Sequence, residues 1–276
     1  MLIQFNFKNF LSFKDEASLD LSATKMSEFN DRVITCGEEK VLPVAAIFGA
    51  NASGKSNVYK AFKFMTRYVS ESLHYGDDVE QFNENKPVPF KFDDEAEESD
   101  SMFEVYFTLN DNNRIKFYNY GFCVGKQGVS EEWLNQKSKT AKDYKNVFYR
   151  SLKEKYLSWE GFKETEKKIL EAALDNQVLL VSLGAKLKIE KCKMVRDWFI
   201  ANEFANFGNP IESYIRSTYL PKGFIEDKEV QKKVLKYLAT FDNSIKNFSF
   251  EEAPNDLGSD SKSYKVNTAH YKIGTK

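Results

Sequence analysis

Cysteine and histidine are the scarcest sources of chemistry in this 276-residue chain. Its three cysteines, Cys36, Cys123 and Cys192, are odd in number and form no Cys-x-x-Cys pair. A disulfide framework and a cysteine-held zinc site are therefore excluded, and a reducing compartment is expected. His74 and His270 are the only histidines, too few and too far apart for a histidine-rich metal centre or a His-based triad. No run of about eighteen apolar residues occurs, so no membrane-spanning helix is expected. The N-terminus alternates apolar and polar residues and has no basic stretch followed by an apolar block, the mark of a leader peptide. A cytoplasmic protein is expected. Charge of one sign is missing too: 40 Lys and Arg stand against 41 Asp and Glu. That balance argues against charge-driven capture of nucleic acid or of an anionic membrane, and any nucleic-acid contact would need a local patch.

What is present is apolar and aromatic material, 42% hydrophobic with 24 Phe and 14 Tyr. This is enough for a globular fold with a sizeable core. Leu2, Ile3, Phe5 and Phe7, then Ala17, Leu19 and Leu21, have period two and predict an antiparallel pair. Val41 to Phe48 is a short apolar run that predicts a strand buried on both faces. Val58, Ala61, Phe62, Met65, Val69 and Leu73 recur at spacings of three and four, predicting a helix to about Tyr75. Residues 77 to 101 are acidic and read as a solvated loop. Phe103 to Leu134 reads as a three-stranded meander, with turns at Asn110 to Asn113 and Gly125 to Gly128.

From about residue 136 the pattern becomes mainly helical, with faces at 169–178, 189–199 and 230–238, punctuated by Pro210, Pro221 and Gly223. Strand-like alternation returns at 245–250 and 264–273 around a polar loop. The expected organisation is thus a core over 1–135, a helical insertion over 136–244 and returning strands over 245–276. Lys186, Lys188, Lys191, Lys193 and Arg196 scatter around a helix at about 100° per residue and form no stripe. They and the three tryptophans read as surface and packing residues.

One segment carries chemistry: Gly49-Ala-Asn51-Ala52-Ser53-Gly54-Lys55-Ser56-Asn57 fits G-x-x-x-x-G-K-[ST]. In that pattern glycines let backbone N–H groups wrap a polyphosphate at a helix start. Lys55 would reach the β- and γ-phosphates, and the Ser56 hydroxyl would ligate Mg²⁺. The apolar run before it and the amphipathic helix after it are the context the motif requires. ATP and Mg²⁺ are the expected ligands.

The form G-x-N-x-S-G-K-S-N, with Phe7-Lys-Asn-Phe10-Leu-Ser12-Phe13-Lys14 near the N-terminus, resembles ABC-type ATPases of the RecF and structural-maintenance-of-chromosomes group. It is more narrowly similar to compact bacterial AAA-family ATPases, several of which act in phage defence beside a separate effector. Pro89-Phe-Lys-Phe-Asp93, Tyr120-Gly-Phe122 and Val129-Ser-Glu-Glu-Trp-Leu134 extend the likeness over residues 1–134. The resemblance implies a P-loop NTPase of ABC-head type, α/β, with a mixed sheet, an antiparallel β lobe and a helical insertion. It implies Phe10, Ser12, Phe13 and Lys14 near the base and ribose, although Phe10 and Phe13 read equally well as core strand residues. Leu11 stands where relatives often carry a basic residue. It also implies a homo-oligomer of ATP-sandwiched heads and an effector nuclease or toxin as partner.

Such ATPases finish their site with a serine- and glycine-containing signature and an apolar strand ending in Asp-Glu. The run Val178 to Leu183 ends in Gly184 without a carboxylate, and Asp94-Glu95 sits in the acidic stretch. The sequence therefore reads as the N-terminal part of a longer ATPase. A nucleotide-binding module without hydrolysis and a small P-loop kinase or GTPase are the alternatives. The meander, and the lack of an Asn-Lys-x-Asp motif, count against the last.

Overall fold

The computed structural model describes residues 1–24, 30–37, 39–111, 114–217, 220, 223–242, 244–253 and 263–270. The chain divides into two compact units, Met1–Phe204 and Ala205–Lys276.

The first unit is a sheet with helices on one face. Strand β1 (Leu2–Lys8) pairs antiparallel with β2 (Ala17–Asp20), as the alternation predicts, with Phe5 opposite Leu19. A one-turn 3₁₀ segment at Asn30–Arg32 leads to the small hairpin β3 (Ile34–Cys36) and β4 (Glu39–Val41). Helix α1 (Lys55–Asp77) follows the glycine-rich loop, then α2 (Val79–Asn85) and α3 (Asp94–Glu98). The meander is β5 (Ser101–Asp111), β6 (Arg114–Gly125) and β7 (Gly128–Ser138). Residues 112 and 113 of its first turn lie outside the described residues. Next come β8 (Lys145–Ser151), β9 (Tyr156–Ser158), α4 (Glu164–Ala173), α5 (Leu180–Lys186) and α6 (Glu190–Ile200). Among the described residues seven strands form the main sheet, ordered β2-β1-β5-β6-β7-β8-β9 and antiparallel throughout.

Alternation along these strands sends Phe5, Phe7, Phe103, Val105, Tyr120, Phe122 and Phe148 to one face, where all are fully buried. Helix α1 lays Ala61, Met65, Tyr68 and Val69 on that face, Tyr68 against Phe122 and Phe64 against Phe103. Each buried aromatic of this kind contributes about 1.5–3 kcal/mol, so this layer dominates the unit's stability. Trp198 of α6 stacks on Phe107 with ring centroids 4.2 Å apart, and Trp159 packs on Phe162. Both tryptophans are packing residues.

The second unit contains α7 (Pro210–Ser217), α8 (Lys228–Leu238) and the hairpin of β10 (Ile245–Ala253) and β11 (Ser263–His270). Phe224 packs edge-on against Phe248 and Phe250. The predicted loop at 254–262, residues 271–273 of the last predicted strand, and Pro221 lie outside the described residues.

The architecture is mixed α/β, with a large antiparallel sheet and several helices, consistent with the α/β P-loop class expected from the sequence. Three local expectations need correction. Residues 42–49 are not a buried strand: Val44, Ile47 and Phe48 are 76%, 46% and 90% exposed. A strand covered on both faces needs sheet neighbours, and among the described residues ladder contacts stop at Leu42, whose N–H donates to Leu21 O. The stretch after 136 is not helical at once, because β8 and β9 extend the sheet. The acidic stretch contains α2 and α3, each started by an aspartate cap: Asp78 accepts from the N–H of Glu80 and Gln81, Asp93 from that of Ala96.

Candidate nucleotide site

The glycine-rich loop ends where α1 begins. Ala52 and Gly54 have φ of 63° and 90°, so the chain turns through left-handed conformations just before the helix. Glycine is required at 54 for a second reason: a Cβ there would lie 2.8 Å from Ser12 Oγ and 3.1 Å from the Phe13 ring. The 23-residue helix has no side-chain cap and no acid in its first turn. Its N-terminal N–H groups therefore keep their partial positive charge, with no acidic side chain of the first turn to offset it. Lys55 curls back, its Nζ donating to Gly49 O at 2.8 Å and Ala50 O at 2.5 Å. The ammonium thus sits over the loop that a phosphate would occupy. Asn51, Ala52 and Ser53 are exposed along that loop. Ser56 is exposed on the first helical turn, and its hydroxyl has no protein partner among the described residues. That geometry fits a hydroxyl ligand for Mg²⁺ accompanying a phosphate.

The N-terminal segment lies directly on this loop. Asn57 Nδ2 donates to Ser12 Oγ at 2.8 Å, and the Phe13 ring covers Gly54 while packing edge-on against Phe7. Lys14 donates to Asp93 at 2.5 Å. That bond holds the lysine above its ordinary pKa and, with the Ala96 N–H, holds the Asp93 carboxyl below its own. Phe10 instead lies 5% exposed in the core against Phe64 and Phe103. The structure thus gathers Gly49 to Asn57 with Ser12 and Phe13, places Lys14 at their flank on Asp93, and buries Phe10. A cavity of about 280 Å³ adjoins the loop, walled by Phe7, Phe13, Leu19, Ile47, Phe48 and Val58, with Ser53 and Lys55 also lining it. A larger one, about 490 Å³, beside the Lys126–Gly128 turn includes none of the loop residues.

Two buried polar residues escape sequence reading. Asn9 is buried and bonded to backbone groups more than 80 positions away. Glu132, fully buried on β7, accepts from Leu180 N at 2.7 Å, Val181 N at 3.0 Å and Tyr120 Oη at 3.1 Å, and lies 3.8 Å from Arg150. It caps α5 and couples that helix to the sheet. Burial raises its pKa against the opposing pull of Arg150 and the two N–H groups, and burial lowers that of Arg150. The basic cluster is dispersed: Lys191 lies over the Phe162 ring, Lys193 pairs with Asp197, and Arg196 donates to Ser70 O. Asp94 and Glu95 form the first turn of α3.

Residues 44–178 match the family described as "AAA domain, putative AbiEii toxin, Type IV TA system". The match covers the loop, α1 and the meander and supports an AAA-type P-loop ATPase family; such a domain suggests nucleotide binding, usually with Mg²⁺. No curated protein matches the chain. Among the described residues no helix is long and apolar enough to cross a membrane.

Proposed function

We propose that this chain binds Mg·ATP as the nucleotide-binding part of an ABC-type, RecF/SMC-like ATPase. The observation that carries this reading is the uncapped N-terminus of α1, with Lys55 folded over the carbonyls of the preceding loop. Backbone N–H groups of Gly49 to Gly54 would cradle the phosphates, Lys55 would release its loop carbonyls to reach the β- and γ-phosphates, and Ser56 would ligate the metal. Bound Mg²⁺ would neutralise phosphate charge. Ser12, Phe13 and Lys14 would form the wall toward the sugar and base. In this reading two heads close on sandwiched ATP and switch an associated effector, in antiphage defence or DNA maintenance. The toxin–antitoxin wording of the matching family supports an effector of the toxin or nuclease kind.

A second reading, a nucleotide-responsive module that does not itself hydrolyse, is favoured by one observation. Among the described residues no carboxylate pairs with Lys55 or Ser56. This chain alone should accordingly turn over ATP far below ordinary ATPase rates. Titration of fluorescent ATP tests the shared core of both readings: Mg²⁺-dependent binding is expected for the native chain and not for Lys55→Ala. Equal affinity of the two would remove the assignment.

A further inference from the structure

Asn9 is 2% exposed, has a left-handed backbone at φ 53°, and bonds to groups 81 to 92 positions away along the chain. Its Nδ2 donates to the carbonyls of Ala96 at 2.7 Å, Ser99 at 2.9 Å and, more distantly, Asp100 at 3.3 Å. Its Oδ1 accepts from Phe90 N at 3.0 Å, and its main-chain oxygen accepts from Ser101 Oγ at 2.5 Å. The next residues are held by their own backbone, Phe10 N to Phe13 O and Leu11 N to Val88 O. The side-chain amide thus fastens the start of the 9–14 loop to the segment before α3 and to the end of α3, while the main-chain oxygen adds the bond to Ser101 at the start of β5. The far end of the same loop places Ser12 on Asn57 and Phe13 on Gly54.

We infer that Asn9 is a positioning residue for the phosphate loop, holding residues 10–14 in the register that supports Gly54 and Asn57. It touches no nucleotide itself, and the inference rests on the nucleotide-binding reading above. A buried polar hub whose bonds are all satisfied specifies one arrangement, and removing it releases several partners at once. Glycine at position 9 accepts the same positive φ, so Asn9→Gly removes the side-chain bonds while keeping the backbone.

The test compares four full-length chains by Mg·ATP titration, each below its own melting transition: native, Lys55→Ala, Asn9→Gly and Asn119→Ala. The last removes a buried asparagine on the opposite face of the sheet and serves as a destabilised control. Asn9→Gly is expected to weaken ATP binding about tenfold, the lower end of what losing a supporting partner costs a metal ligand. Asn119→Ala should bind as the native chain does. Amides of 10–14 and 54–57 should exchange faster in Asn9→Gly than in Asn119→Ala. Native affinity in Asn9→Gly, or equal weakening in Asn119→Ala, overturns the inference while leaving the P-loop reading intact. Equal binding by native and Lys55→Ala chains overturns both. Should Asn9→Gly fail to fold, Asn9→Asp replaces it: it keeps the acceptor for Phe90 N–H and turns a carboxylate on the three carbonyls, and the same loss is expected of it. Native affinity there equally overturns the inference.

Discussion

Gly54 and Glu132 show how far single side chains set the behaviour of this protein. At Gly54 a methyl group would meet Ser12 Oγ and the Phe13 ring on a backbone of positive φ. Gly54→Ala should cost about 1–3 kcal/mol in chemical denaturation and also weaken ATP binding, because the ring that must move is the one supporting the loop. Glu132 presents the opposite case, a carboxyl group kept inside. Removing it as Glu132→Ala strands Arg150 and uncaps α5, with an expected loss of about 3–5 kcal/mol in chemical denaturation. Glu132→Gln, which keeps an acceptor, should lose less. Because burial raises the Glu132 pKa in the folded state, folding favours its protonated form. Its contribution is therefore fully present below the ordinary carboxylate value of 4.5 and declines as pH rises through the raised folded value. The melting temperature of the native chain minus that of Glu132→Gln should fall as pH is raised from 4 toward 7; a constant or rising difference would contradict this assignment.

Among elements, the face of the main sheet opposite α1 carries a feature invisible to hydrophobic patterning. A side-chain ladder runs across it: Asn6 and Asn119 donate to Glu104, Asn135 to Asn119, Asn146 to Asn135, and Ser158 to Asn146. It links β1, β5, β6, β7, β8 and β9 in one register, so a one-residue slip would break several bonds together. Asn119→Leu should cost about 1–3 kcal/mol by denaturant titration, since Glu104 and Asn135 each lose a partner. The β1–β2 pair, the meander and α1 were legible because each buries one face and so keeps a clean period of two or 3.6. Helices α2 and α3 were hidden by the charge run, although Asp93 before Asp94-Glu95 is a start signal. In β8, Val147 and Phe148 are buried in succession, which spoils the alternation that would mark a strand. Residues 42–48 misled in the other direction, since an apolar run reports a tendency to be buried and not the presence of neighbours that bury it. The loop itself was readable as a motif, whereas Asn9 was not, because its partners come from sequence positions 90–101 that only the fold brings near.

At the scale of the whole molecule the near balance of charge acquires a physical meaning. Lys14 on Asp93, Lys126 on Glu98 and Lys193 on Asp197 spend basic groups on local ion pairs, while Lys55 bonds only to carbonyls of its own loop. Lys55 thus stands at the start of α1 as a cation with no carboxylate partner among the described residues, which is where the proposed nucleotide site lies. The most direct test of that claim is amide hydrogen exchange of the full chain with and without saturating Mg·ATP. The account predicts protection confined to residues 49–57 and 10–14, absent in Lys55→Ala. Protection centred elsewhere, or none in the native chain despite bound nucleotide, would contradict it.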